Sequence, residues 1–154
     1  MPSYLCLRVS KSNNMRFRRL TEEEFTAVES EFVKFLSSQG VDAPEWQKIK
    51  RENPHMVEYL LDEFSTFFWE STTSRITFLE RHSEEDRWVF KFSETKAKVL
   101  RLVHKKSEKS PDIFRGEKEF PPEARGREIF LLLEQGLLPC PEDKHSELEK
   151  LFTE

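Results

Sequence analysis

An α+β fold is predicted by three observations. Residues 20–73 carry apolar stripes at helical spacing, residues 74–105 switch to alternation with period two, and residues 123–152 return to helical spacing. The expected architecture is a set of N-terminal helices packed on a small antiparallel sheet of about three strands, with C-terminal helices closing the core. At 154 residues the chain suits one hydrophobic core, so residues 15–154 read as a single domain.

Each element has a local reason. Thr21 followed by Glu22, Glu23 and Glu24 is a capping box, with three carboxylates at the positive end of a helix dipole. Leu20 and Phe25 form the flanking hydrophobic staple. Phe25, Val28, Phe32, Phe35 and Leu36 then trace one stripe of a single first helix, which Gly40 stops. Asp42, Pro44 and Glu45 open a short second helix through Trp46 and Ile49, closed by Asn53 and Pro54. Pro54 sits in the first turn of a third helix, whose face is Val57, Leu60, Leu61, Phe64, Phe67 and Phe68.

From Ser74 the period becomes two. Ile76 and Phe78 alternate with Arg75 and Thr77, His82 to Asp86 is a polar turn, and Trp88, Phe90 and Phe92 alternate with Arg87, Val89 and Lys91. Lys96 to Lys105 gives a third strand, and Lys105 to Pro122 a polar, proline-marked connection. Glu123 to Gln135 forms a helix stopped by Gly136, and Pro141 opens a last helix through Leu148, Leu151 and Phe152. Residues 1–14, MPSYLCLRVSKSNN, hold no sustained period. They read as a flexible leader or a mis-assigned start ahead of Met15, the competing reading being an edge strand through Tyr4, Leu5, Leu7 and Val9.

Charge is unevenly spread. The net value is −4, but residues 1–19 hold five bases and no acid, residues 20–73 four bases and twelve acids, and residues 74–122 twelve bases and nine acids. With only Cys6 and Cys140, no disulfide framework is expected, and a reducing cytoplasm is the expected compartment. No apolar stretch approaches the ~18 residues of a membrane span.

Site chemistry is sparse. His55, His82, His104 and His145 include no helical i,i+4 pair, and the His82, Glu84, Glu85, Asp86 cluster falls in a turn where solvated charge is expected, so no metal site is read. Cys140, between two prolines, shows no histidine partner, and the four glycines are too scattered for a phosphate-binding loop. Neither a catalytic residue nor a cofactor is assigned.

Three functional readings remain. The leading one is a non-enzymatic cytoplasmic protein-interaction or regulatory module whose partner is a protein. A second is an RNA or single-stranded DNA binder using residues 87–109, with Arg87, Lys91, Lys96, Lys98, Arg101, Lys105 and Lys106 on phosphate and the strand aromatics under the bases. Against it, period two turns Trp88, Phe90 and Phe92 inward onto helices while the bases point outward. A third is an enzyme with an acid/base site among Glu80, His82 and His104.

MRFRRLTEEEF at Met15 to Phe25, EFVKFL at Glu31 to Leu36, Glu45-Trp46-Gln47 and the REIFLLLEQG run at Arg127 to Gly136 together resemble a family of short bacterial proteins, mostly from Bacteroidetes, known as a domain of unknown function. The resemblance supports Met15 as the start and carries over no catalytic residue, cofactor or substrate.

Overall fold

The computed structural model describes residues 17–106 and 109–153. Two compact units divide the chain, the first ending at Ser71 and the second running from Thr72. The expectations for residues 1–14 lie outside the described residues.

The first unit is helical: α1 (Glu22–Ala27), α2 (Glu29–Ser38), α3 (Ala43–Glu52) and the start of α4 (Pro54–Ser74). The capping box forms as its sequence requires. The Thr21 hydroxyl accepts from the Glu24 N–H at 3.2 Å, and the Glu24 carboxylate accepts from the Thr21 N–H at 2.8 Å. Arg18 clasps both Glu24 oxygens at 2.6 and 3.0 Å and holds that carboxyl down to about 2, the Thr21 N–H helping. Asp42 caps α3 by accepting from the Glu45 N–H, and Asn53 accepts from the Met56 N–H at the start of α4.

The single first helix expected over Phe25 to Leu36 is instead two. Val28, at φ −116° and ψ 29°, ends α1 and begins α2. Neither glycine nor proline marks that break, which is why periodicity runs through it unseen. Its packing consequence is clear: Phe25 and Phe32 meet edge to face at 5.6 Å, and both reach Phe64 of α4, at 5.8 and 5.1 Å. Phe35 closes on the same ring at 5.5 Å and Phe68 at 6.4 Å, so a fully buried Phe64 centres the aromatic core. The segment entering α1 is pinned to α4. Leu20 N–H donates to Ser65 Oγ, Trp69 Nε1 donates to the Arg18 carbonyl, and Arg19 donates to Asp62.

The second unit is built on a five-stranded antiparallel sheet in the order β4-β3-β2-β1-β5. Its strands are β1 (Phe78–His82), β2 (Asp86–Phe92), β3 (Lys96–Val103), β4 (Asp112–Glu119) and β5 (Leu138–Pro139). The count corrects the expected three. β4 lies in the stretch taken as a connection, because its alternation (Ile113, Arg115, Glu117, Glu119 against Phe114, Gly116, Lys118) carries too few apolar residues to declare a buried face. β5 is only two residues long and pairs with Leu79 and Glu80.

Both sheet faces are covered within this unit. On one, Leu79, Phe92 and Ala97 pack with Ile76, Phe120, Leu137 and Ile129 of α5 (Arg125–Glu134). On the other, Phe78 and Val89 pack with Leu148 of α6 (His145–Phe152), with Cys140, Leu151 and Phe152 alongside. Short 3-10 turns at Pro122–Ala124 and Glu142–Lys144 lead into the two helices, and Gly136, at φ 95°, adopts the left-handed turn that ends α5. Arg125 fastens α5 to the sheet by donating to the carbonyls of Thr73, Ile76 and Ser93.

Candidate functional site

Pleating decides the fate of the basic, aromatic strands. The register places Trp88 opposite Arg101, Phe90 opposite Val99 and Phe92 opposite Ala97, so the three rings share one face. Arg87, Lys91, Lys96 and Lys98 project from the other face, where Arg87 pairs with Glu80 at 2.6 Å, Lys91 with Glu149 of α6 at 2.7 Å, and Lys96 with Glu117 at 3.4 Å. Lys98 is exposed there, while Lys105 and Lys106 follow the end of β3, with Lys105 near Asp112. Of the seven bases read as a phosphate-binding set, Arg101 alone joins the rings.

The rings themselves are engaged. Phe92 is core, and Phe90 packs against the same cluster, as do Leu132 and Leu133 of α5. Trp88 has Phe90 as a parallel neighbour, centroids 6.3 Å apart and planes at 10°, and the Arg101 guanidinium 4.8 Å from its centroid. Asp86 locks this arrangement: it accepts two bonds from Arg101 and one from Trp88 Nε1. The hydrogen bonds from Arg101 draw the Asp86 carboxyl below its ordinary range. Arg87, Lys91, Lys96 and Lys98 sit across the sheet from these rings.

Glu80, His82 and His104 do not converge. Glu80 is held by Arg87, while His82 and His104 are exposed. The reason is topological: Glu80 and His82 lie on β1, His104 follows β3, and β2 runs between them. No hydrogen bond joins any two of the three among the described residues.

Cys140 has a neighbouring histidine that the sequence did not reveal. His145 Nε2 donates to the Cys140 carbonyl at 3.2 Å, and its ring meets Phe78 edge-on at 4.9 Å, so the imidazole serves the backbone and the core. The sulfur is 3.8 Å from a Glu80 oxygen. Burial, with the nearby Glu80 charge, pushes the thiol up to about 11, the opposite of what a nucleophile needs. Among the described residues no three His, Cys, Asp or Glu side chains converge as a metal-ligand set, and no helix is long and apolar enough to cross a membrane.

A wide concavity lies in the helical unit. A cleft of about 900 Å³ opens among α2, the Gln39–Asp42 turn, α3 and α4. Its lining joins apolar Phe35, Ile49, Met56 and Leu60, with Tyr59, to the carboxylates Asp42, Glu45 and Glu63. Three features of the sequence build it. Gly40 takes φ 78° and turns the chain sharply between α2 and α3. Asp42 then caps α3, and the long α4 forms the third side. Met56 and Tyr59 fall outside the apolar stripe of α4, so the spacing of that stripe does not announce the cleft. An apolar band wider than one helix face needs, in a stretch holding twelve acids to four bases, is the signal that marks it.

Comparison with curated proteins and with solved structures finds no match. The match that is found covers residues 15–110, which take in the whole helical cleft together with β1, β2 and β3. By that match the chain belongs to a family of unknown function, DUF6495.

Proposed function

We propose that this chain is a non-enzymatic interaction module that receives a basic, apolar-faced segment of a partner protein in the cleft of the helical unit. One observation carries the reading: a cleft of about 900 Å³ whose lining joins apolar side chains to carboxylates and includes no basic side chain. Apolar side chains of an amphipathic helix gain burial on such a lining, and lysines or arginines flanking them meet Asp42, Glu45 and Glu63. The acidic surplus of residues 20–73 extends the same field and speeds encounter with a cation-bearing partner. Reaction chemistry finds no support beside it, since the one described thiol is held protonated and the strand histidines stand apart.

A labelled synthetic helix of leucines and lysines is the probe, and its fluorescence anisotropy the readout. Binding is expected for this peptide and not for a leucine/glutamate counterpart. The double variant Glu45→Gln/Glu63→Lys, which leaves the Asp42 cap in place, is expected to weaken it by at least about tenfold, or ~1.4 kcal/mol. Unchanged affinity in that variant, with its circular dichroism intact, contradicts the reading.

A further inference from the structure

We propose that β4 joins two copies of this chain, the sheet of one continuing into the sheet of the other through an antiparallel β4–β4 pair centred on Gly116. This inference is independent of the helical cleft. β4 ends the sheet, pairs only with β3 among the described strands, and every residue from Ile113 to Glu119 is exposed. Its first half bears two large apolar side chains in water, Ile113 at 51% and Phe114 at 55% exposure. An unpaired edge of eight residues presents a row of backbone donors and acceptors ready to take another strand.

The hydrogen-bond phase of β3 and β4 says which groups those are. Phe120 N–H donates to the Thr95 carbonyl, and antiparallel bonds recur at every second residue, so Lys118, Gly116, Phe114 and Asp112 point their backbone groups at β3. Ile113, Arg115, Glu117 and Glu119 point theirs outward. A second β4 can bond only if its own outward residues face these, so odd-numbered residues must meet odd-numbered ones.

Charge then selects among the registers that remain. Centred on Gly116, the pair sets Arg115 of each copy opposite Glu117 of the other, giving two cross-strand ion pairs on one face. On the opposite face each Phe114 meets a Lys118, and the two glycines occupy the close-approach position on the axis. Centred on Arg115 or on Glu117, the same pairing forces like charges together, and centred on Phe114 it makes no ion pair. A shallow hollow of about 310 Å³ lies over the β3–β4 ladder, lined by Lys98 and Leu100 as well as Arg115, Glu117 and Phe152, so the face that would carry the Arg115–Glu117 pairs is open to solvent.

Sedimentation velocity on the full chain tests this. The wild type is expected to run at high micromolar concentration as a pair of 18.4 kDa chains. Arg115→Glu and Glu117→Arg are each expected to run as monomers. An equimolar mixture of these two variants is expected to regain the dimer, because every cross-strand pair is again opposite in sign, as is the double variant R115E/E117R on its own. A monomeric wild type, single variants that still dimerise, or a mixture that stays monomeric overturns the proposal. If a single variant loses its folded circular dichroism, hydrogen exchange on the wild type decides. Amides of Arg115 and Glu117 must gain protection with concentration, and their indifference to concentration overturns the pairing.

Discussion

The two units solve the burial problem differently. The sheet unit covers both of its faces, one with α5 and one with α6, and leaves large apolar side chains in water at its edge strands, Ile113 and Phe114 on β4 and Leu138 on β5. The helical unit gathers its rings around Phe64 and still leaves Ile49, Met56 and Tyr59 only partly covered along an open cleft. The ionic surroundings differ as well. On the strands, Arg87, Arg101, Lys91 and Lys96 pair with Glu80, Asp86, Glu149 and Glu117, whereas residues 20–73, which build the cleft, hold twelve acids to four bases. The cleft keeps apolar area open to solvent, with Asp42, Glu45 and Glu63 among its lining residues.

The contrast has a ranked set of consequences. The largest expected effect is in the helical core: Phe64→Ala removes the ring that four other phenylalanines touch and is expected to cost about 3–5 kcal/mol in urea unfolding. A loss near 1 kcal/mol would mean the rings are not one core. In the sheet unit the matching weak point is polar. Burial lowers the Arg125 guanidinium below its ordinary value, yet it supplies three carbonyls with donors. Arg125→Met keeps much of the bulk and strands those acceptors, for an expected loss of about 1.5–3 kcal/mol. Smaller is the cap: Thr21→Ala is expected to lower stability by about 1 kcal/mol, read from the thermal midpoint.

The smallest effect depends on pH. Glu24 is held at about 2 by the Arg18 hydrogen bonds, below an ordinary value of 4.5. Its folded form therefore binds a proton less readily than its unfolded form, so the contribution is complete above pH 4.5 and is lost as pH falls toward 2. Glu24→Gln, which keeps an acceptor for the Thr21 N–H, is expected to lower stability at neutral pH by less than about 1 kcal/mol and to flatten it across that window, so that the two proteins converge toward pH 2. An unaltered slope from pH 4.5 to 2 would show that Arg18 does not hold this carboxyl.

Much of the scaffold was legible because local signals coincide with it. The Thr21 to Glu24 box, the Asp42 and Pro44 start, the Gly136 stop and the period-two run at Arg87 to Phe92 all became the elements they announce. What escaped detection depended on tertiary partners. Val28 breaks a helix without any breaker residue, and β4 is a strand because β3 offers it a ladder, whatever its own composition says. The site was harder still. Alternation correctly separates the rings from Arg87, Lys91, Lys96 and Lys98, but nothing in one strand's sequence shows that Arg101 will cross to cover Trp88. The proximity of His145 to Cys140 comes from the turn into α6. The cleft is a property of three helices and one turn, visible in sequence only as apolar residues left over from the stripe.

Methyl-detected NMR of the full chain during titration with the leucine/lysine helix addresses the cleft most directly. The account predicts that the methyl signals of Ile49, Met56 and Leu60 shift in a saturable way while those of Val89, Leu79 and Ile129 stay in place. Shifts confined to the sheet unit, or cleft methyls that remain unmoved at saturating peptide, would contradict it.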